Sequence, residues 1–491
     1  MTMARSELRF YLNGEPVHVA GDEAFLTLSE FLRQRLGLTG TKIVCSEGDC
    51  GACSVVLGRP AGSTIHYESI NSCIHFLHQL DATHVVTVEG LSRNGALHPV
   101  QQAMVACHGS QCGFCTPGFV TTMASLFEQD EGRRTHRLSE EELRDALSGN
   151  LCRCTGYVQI VEAACSVDPV ATPRLADLYP DKAMAARLAE WSRDEVRVEG
   201  RDVEGRELLV YLPRTWEAAA AFKAESPDTL VVAGATDLGV QRNKGRIAPR
   251  RILGLAKIDG DDEVRVEEGI LTIGARATWT AVERAIRTIL PDYHRILLRF
   301  GGPQIRSAGT VGGNLVNASP IADSLPFHFV TETELELVGT GGTRRVPIAE
   351  FYLGYRKTAL RPDELLRRIV ARLPRENELL RLYKVSKRKN LDISTFTAAI
   401  LVRLEQGRIA QARVALGGVG PVVLRLPRTE DFLRGRDPDE ETMREAGRLA
   451  RGEITPITDV RGRAEYRARL AENIFMKFYH DVAARNAPAV V

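Results

Sequence analysis

No run of 18 or more apolar residues occurs anywhere in this 491-residue chain, so no membrane-spanning helix is expected. The opening MTMARSELRFYLNGEPVHVA lacks the apolar core of a secretory signal, which points to a cytoplasmic protein. An excess of one charge is also missing: 64 Lys and Arg stand against 63 Asp and Glu, and a net charge of +1 offers no electrostatic basis for nucleic acid or an anionic membrane. Internal repeats and low-complexity tracts are absent. Cysteine is missing from everything after residue 165, which makes its placement before that point informative, because all ten cysteines lie between Cys45 and Cys165. Disulfide frameworks belong to small secreted domains, so a local need for thiolates is the stronger reading.

At roughly 150 residues per domain, the length suggests about three domains. In LRFYLNGEPVHV, Leu8, Phe10 and Leu12 alternate, Asn13-Gly14 suits a type I′ turn, and Val17 and Val19 alternate on the return, so a β-hairpin is expected. Leu28, Phe31, Leu32 and Leu36 have helical spacing, with Gly37 as a stop. Hairpin, helix and cysteine loop together predict a ferredoxin-like β-grasp domain over 1–91. From 92 to 165 the pattern is helical: Pro99 opens one segment, TPGFVTTMASLFE follows a cysteine pair, and Ser139 with Glu142 makes a capping box. Pro169, Pro173 and Pro180 mark 166–205 as a linker. β-Branched runs interleaved with helical stretches predict an α+β domain over 206–376 and a second over 380–488. The expected fold class is therefore multidomain α+β with an all-α helical bundle as its second domain.

Cys45-x4-Cys50-x2-Cys53 followed by Cys73 is the plant-type [2Fe–2S] spacing. Gly48 and Gly51 lie between ligands, where a missing Cβ lets amides turn toward the sulfides. A structural zinc site is the competitor, but zinc favours paired Cys-x2-Cys knuckles and only one such pair is present in this set. A second set comprises Cys112 and Cys115 in QCGFCTPG with Cys152 and Cys154 in GNLCRCTGY. Each pair stands where a Gly- or Pro-marked loop meets a helix, and helix N-termini favour thiolates. Taken alone this quartet suits zinc equally; beside a plant-type set in a flavin-sized chain, a second [2Fe–2S] cluster is the better occupant. Downstream, Gly234-Ala235 and Gly312-Gly313 lie between apolar strands, where backbone N–H groups can close around a pyrophosphate.

TPGFV after Cys115, GNLCRCTGY and the first cysteine loop resemble the iron–sulfur half of the xanthine dehydrogenase and aldehyde oxidase family of molybdenum hydroxylases. VVAGATDL (231–238) and TVGGNLVNASPIAD (310–323) are similar to that family's FAD-binding stretches, and the match runs colinearly through the chain. It is closest to bacterial xanthine-oxidising members, in which iron–sulfur and FAD parts are fused while the molybdenum part is a separate chain. The resemblance implies two [2Fe–2S] clusters and FAD on this chain, and molybdopterin on a large partner subunit that hydroxylates hypoxanthine and xanthine to urate. It further implies that electrons pass through the helical-domain cluster, the ferredoxin-like cluster and FAD to NAD⁺, and that the pair dimerises. It also implies FAD contacts at Val231, Val232, Ala233, Gly234, Ala235, Thr236, Asp237, Leu238, Thr310, Val311, Gly312, Gly313, Asn314 and Asp323, with Phe300 over the isoalloxazine ring. Val44, where the family commonly has glycine, and Thr395, where mammalian relatives carry a lysine near the flavin, depart from the pattern.

Cys107 and Cys165 fall outside both sets and are expected to be incidental thiols. His75, His78 and His108 do not make the Cys/His pairing of a Rieske centre and are expected as packing or surface residues. The basic run Lys384 to Lys389 is either a solvated face or a guide for a nicotinamide dinucleotide. Asp261-Asp262 belongs to a polar turn. The alternatives are the equivalent subunit of another molybdenum hydroxylase acting on an aldehyde, nicotinate or another N-heterocycle, and a self-contained flavin–iron–sulfur reductase, although no G-x-G-x-x-G follows a strand. A zinc-binding interaction module would leave residues 206–491 without a role.

Overall fold

The computed structural model describes residues 4–93, 95–128, 137–180 and 182–486; the extremes of the expected domains, 1–3 and 487–488, lie outside them. The chain folds into two compact units, one of residues 1–259 and 301–310, the other of 260–300 and 311–491.

In the first unit, β1 (Leu8–Leu12), β2 (Glu15–Val19), β3 (Ser54–Ala61), β4 (Thr64–Asn71) and β5 (His84–Val86) form one sheet in the order β2-β1-β5-β3-β4, with β1 and β5 parallel. The hairpin register pairs Leu12 with Glu15, leaving Asn13 (φ 51°) and Gly14 (φ 91°) as a two-residue turn with the positive φ that type I′ requires. The helical segment after it is capped by Thr27 and Glu30, runs on as a π-turn over Phe31–Arg35, and ends before Gly37 at φ 68°. Leu28, Phe31 and Leu32 face the core as their spacing predicts, whereas Leu36 is exposed.

The helical part contains Pro99–Ala106, Thr116–Leu126, Glu140–Ala146 and Val158–Ser166 around Phe119, Met123, Leu143 and Ile160. The Ser139/Glu142 capping box forms as expected. The expected linker is structured instead: helix Lys182–Ser192 and strand β6 (Val196–Arg201) lie within 166–205. Met184, Leu188 and Trp191 repeat at helical spacing and are buried, and Val196 and Val198 alternate inward, a signal that the three prolines upstream obscure. With β7 (Glu207–Leu212), β8 (Leu230–Val232) and β9 (Arg251–Gly254), β6 builds a second sheet, β6-β7-β9-β8. Val196, Val210, Val232 and Ile252 share one core with Leu8, Phe10 and Val55 of the first sheet. The two sheets are also joined by a buried ion cluster, in which Asp81 accepts from Arg5 at 2.9 Å and from Lys257, while Lys257 Nζ donates to Trp191 O at 2.7 Å.

In the second unit, β10 (Val264–Glu267), β11 (Ile270–Gly274), β12 (Glu334–Gly339), β13 (Gly342–Pro347) and β16 (Leu365–Arg372) form a sheet ordered β10-β11-β16-β12-β13, and β14 (Tyr352–Gly354) and β15 (Lys357–Thr358) make a short ladder. A third sheet, β17 (Glu378–Val385), β18 (Phe396–Glu405), β19 (Arg408–Gly417) and β20 (Leu424–Arg425), packs against helices Pro427–Leu433, Glu440–Arg451 and Ala464–Asn486 through Phe396, Ile400, Val414, Leu433, Met443 and Phe475.

Candidate functional site

Cys53 precedes β3 and Cys73 follows β4, and the register pairing Ser54 with Asn71 brings both to the same end of the ladder. The loop before β3 carries the other two thiols through left-handed positions at Ser46 (φ 54°), Gly48 (φ 79°) and Gly51 (φ 67°). The four thiols influence one another in pairs, Cys45 with Cys50 and with Cys73, and Cys73 with Cys53. Hydrogen bonds from Cys50 and then Cys73 pull the Cys45 thiol far down, and the bond from Cys73 lowers Cys53; their partners Cys50 and Cys73 are raised by the same bonds and by burial. Glu47 N–H donates to Cys45 Sγ at 3.4 Å and Asn71 Nδ2 to Cys53 Sγ at 3.8 Å, so donors already face the sulfurs.

The second set also assembles in pairs. Cys112 and Cys154 approach to 3.4 Å, and Cys115, the N-cap of helix Thr116–Leu126, meets Cys152. Gly113 (φ 80°), Gly156 (φ 69°) and Tyr157 (φ 73°) turn the two loops, and Tyr157 OH accepts from Cys152 N at 3.1 Å. Burial, then the bond to Cys152, pushes Cys115 up to about 12. Burial opposes ionisation of Cys152, but the Thr155 hydroxyl and amide outweigh it and lower its pKa. The amide of Phe114 and then Cys154 lower Cys112, while Cys154 is raised by its bond to Cys112.

Among the described residues no three His, Cys, Asp or Glu side chains converge as a single metal ion requires. In each set the approach is by pairs, which suits a cluster in which each of two irons takes two thiolates.

The sets are in direct contact. Leu151 N–H donates to Cys50 O at 2.9 Å, which places the residue before Cys152 on a cysteine of the first set. A Cβ on Gly51 would lie 2.3 Å from Gly149 O, and one on Gly118 2.1 Å from Gly51 O, so both approaches require glycine. On its other side the first set meets helix Leu238–Asn243: Asn243 Nδ2 donates to Ser46 O at 3.0 Å and Cys73 O at 2.7 Å, and Gly239 packs on Ile74.

That helix follows the 231–238 stretch. Gly234 lets the turn after β8 lie against Ala308 O, 2.2 Å from where a Cβ would be; Ala235 sits at φ 59°, and Ala233 O accepts from Gln79 Nε2 at 2.9 Å. Asp237 stands at the N-cap position of that helix, and its carboxylate accepts from Gln241 Nε2 rather than from a helix amide. Thr310 closes the part of the 301–310 segment that belongs to the same unit. In the second unit, Val311 and Gly312 donate their N–H groups to Ala277 O at 3.0 Å and Ala275 O at 2.9 Å, and Gly312 packs on Ala275. The expectation that the Gly312 amide is available to a pyrophosphate is thereby corrected, since that amide is already bonded and the glycine serves a close backbone approach. Asn314 accepts from Ser324 Oγ at 2.7 Å, and Phe300 tilts against Trp279 with ring centroids 4.9 Å apart.

Asp323 accepts from Lys384 Nζ and from Ser394 Oγ, both at 2.5 Å. Lys384 is buried and so leaves the basic run, contrary to the reading of Lys384 to Lys389 as one surface cluster. Nothing in the sequence links it to a carboxylate 61 positions away. His75 and His78 are buried and His108 is exposed; Cys107 Sγ is 4.0 Å from Ser166 Oγ, and Cys165 packs on the helical core. Asp261 is paired with Arg367 at 2.9 Å and Arg368 at 2.5 Å, a structural role. Val44 is exposed, and Thr395 is buried with its hydroxyl on Arg461 O.

Three family models match in succession: a [2Fe-2S] binding domain over 87–165, the FAD binding domain in molybdopterin dehydrogenase over 203–375, and the CO dehydrogenase flavoprotein C-terminal domain over 381–482. The chain thus carries, in this order, a [2Fe-2S] binding domain, an FAD binding domain of the molybdopterin dehydrogenase type and a CO dehydrogenase flavoprotein C-terminal domain. Among its relatives, a xanthine dehydrogenase of Emericella nidulans is 31% identical, the match covering 97% of this chain and 39% of that protein. Xanthine dehydrogenase 1 of Arabidopsis thaliana is 29% identical over 96% of this chain and 39% of its own length. The chain therefore spans about two fifths of these relatives. Among solved structures, reconstituted CO dehydrogenase from Oligotropha carboxidovorans superposes with a TM-score of 0.52 at 28% identity, over 56% of this chain and 97% of that one.

Proposed function

We propose that the chain is the electron-transfer component of a xanthine dehydrogenase, taking electrons from a molybdopterin-bearing partner and delivering them to NAD⁺ in the cytoplasm. Cys45, Cys50, Cys53 and Cys73 would hold one [2Fe–2S] cluster and Cys112, Cys115, Cys152 and Cys154 another. FAD would be held by residues 231–238, Thr310 to Asn314, Asp323 and Phe300. Bound there, these groups supply one-electron transfer and its conversion to hydride transfer. The chain's own residues position and insulate: the glycine loops bring the two sets together, and Asn243 fastens the first set to the 231–238 segment. The observation that carries the reading is the Leu151 N–H to Cys50 O bond, which joins the sets without intervening side chains.

A partner is favoured by the surface around the second set. Cys112 and Cys154 are exposed, and Phe114, Leu151, Tyr157 and Val158 beside them are exposed apolar residues, the composition of a docking surface rather than a solvated one. Xanthine as substrate and a dimer of the heterodimer rest on the relatives.

Anaerobic purification followed by metal, sulfide and flavin assay tests the proposal. About four iron, four acid-labile sulfide and one FAD per chain are expected, with a co-purifying molybdenum subunit and a complex that reduces NAD⁺ on addition of xanthine. Zinc in place of iron, or clusters without flavin, would overturn the electron path; activity on carbon monoxide or an aldehyde but not xanthine would overturn only the substrate.

A further inference from the structure

Gln304 is almost wholly buried, on the short helix Pro303–Ala308, yet it reaches residues of both cysteine-bearing parts in the same unit. Its Nε2 donates to Asn150 Oδ1 at 2.8 Å, with Thr122 Oγ1 at 3.1 Å and Ser54 Oγ at 3.2 Å. Its Oε1 lies against Gly149, where a Cβ would be 1.9 Å away. Asn150 and Ser54 then act on one carbonyl: Gly51 O accepts from Asn150 Nδ2 at 3.1 Å, from Ser54 Oγ at 2.7 Å and from Ser54 N at 3.1 Å. With its carbonyl end held by three donors, the Gly51–Ala52 peptide has a fixed orientation. Its N–H end, on Ala52, stands two residues after Cys50 and one before Cys53, within the loop that carries both thiols.

Peptide planarity makes the two ends of that unit turn together. A hydrogen bond to a ligand sulfur stabilises the extra negative charge of a reduced cluster, and such bonds are among the determinants of cluster potential. Gln304 stands outside the ligand spheres but controls the donors that fix this peptide. We propose that Gln304 is a positioning residue: through Asn150 and Ser54 it orients the Gly51–Ala52 peptide between Cys50 and Cys53 and thereby sets the reduction potential of the first cluster relative to the second. The inference rests on the reading that both quartets hold [2Fe–2S] clusters. It explains why this polar hub is fully hydrogen-bonded at the junction of the two sets, where apolar packing would satisfy stability alone.

The test is a redox titration of the complete holoprotein, with each cluster followed by its own EPR signal, for the parent, Gln304→Glu and Ser54→Ala. Gln304→Glu retains the side-chain shape but removes the amide donors, and Ser54→Ala removes one donor from Gly51 O by an independent route. Both variants are expected to keep their iron while the first cluster becomes harder to reduce. The electron distribution between clusters should shift toward the second by about tenfold, ~59 mV for a one-electron couple. If Gln304→Glu loses iron, Ser54→Ala decides. Iron-replete variants with an unmoved first potential, or with both potentials moved equally, would overturn the inference. Fewer than four irons in the parent would overturn the two-cluster reading itself, and this inference with it.

Discussion

His78 shows what a single buried residue does to this molecule. Its imidazole is fully buried and stacked on Phe76 at 5.3 Å and 15°, and among the described residues neither ring nitrogen has a hydrogen-bond partner. Burial holds its pKa down at about 3, against 6.5 when exposed. Because the folded-state value is depressed, its contribution is complete above pH 6.5 and is lost as pH falls toward 3, where the unfolded chain binds a proton that the native chain refuses. At pH 5 this amounts to about 2 kcal/mol. His78→Phe should therefore reduce the stability difference between pH 7 and pH 5 by about that amount, read from urea unfolding at both values; an unchanged difference would refute the assignment. The grouping of eight cysteines in two sets was legible in the sequence because their spacings are short and local. Lys384 and Gln304 were not, because their partners lie 61 and up to 250 positions away and carry no periodic signal.

At the scale of elements, the hairpin at Asn13-Gly14, the Ser139 cap and the helix after Cys115 could all be read directly, since each depends on a few adjacent residues. The helix Lys182–Ser192 could not, because the prolines before it mask its periodicity. The ligand loops depend on close approach, and Gly51 is the sharpest case. Replacing Gly51 by Ala meets a left-handed φ of +67° and a contact of 2.3 Å to Gly149 O. The conformational term alone costs roughly 1–2 kcal/mol, and the overlap must be relieved by moving the two cysteine loops apart. Gly51→Ala is expected to retain native far-ultraviolet circular dichroism while its iron content falls to about half or less of the parent's by colorimetric assay. Full iron occupancy would show that the loop contact is dispensable.

Over the whole molecule, the α+β composition and the order of segments were visible in the sequence, but the division into compact units was not. The first unit takes residues up to 259 and recovers 301–310, so strands β6 to β9 belong with the cysteine-bearing part. That grouping is decided by a shared core of Val196, Val210, Val232 and Ile252 with Leu8, Phe10 and Val55. Nothing local announces it. With a net charge of +1, association with the proposed partner would draw little on long-range electrostatics and would rest on apolar surface such as that around the second set. The unequal exposure of the two sets has a further consequence, for the order of biogenesis. Cys53 and Cys73 are buried, and the loop between Cys50 and Cys53 is covered by Gly149 and Asn150, whereas Cys112 and Cys154 open to solvent. If both sets hold the proposed clusters, iron would have to reach the inner set before the helical part closes over it, while the outer set would be filled last and stripped first. A chelator time course on the holoprotein should accordingly bleach the outer cluster's EPR signal ahead of the inner one's, and simultaneous loss would contradict a sequential maturation.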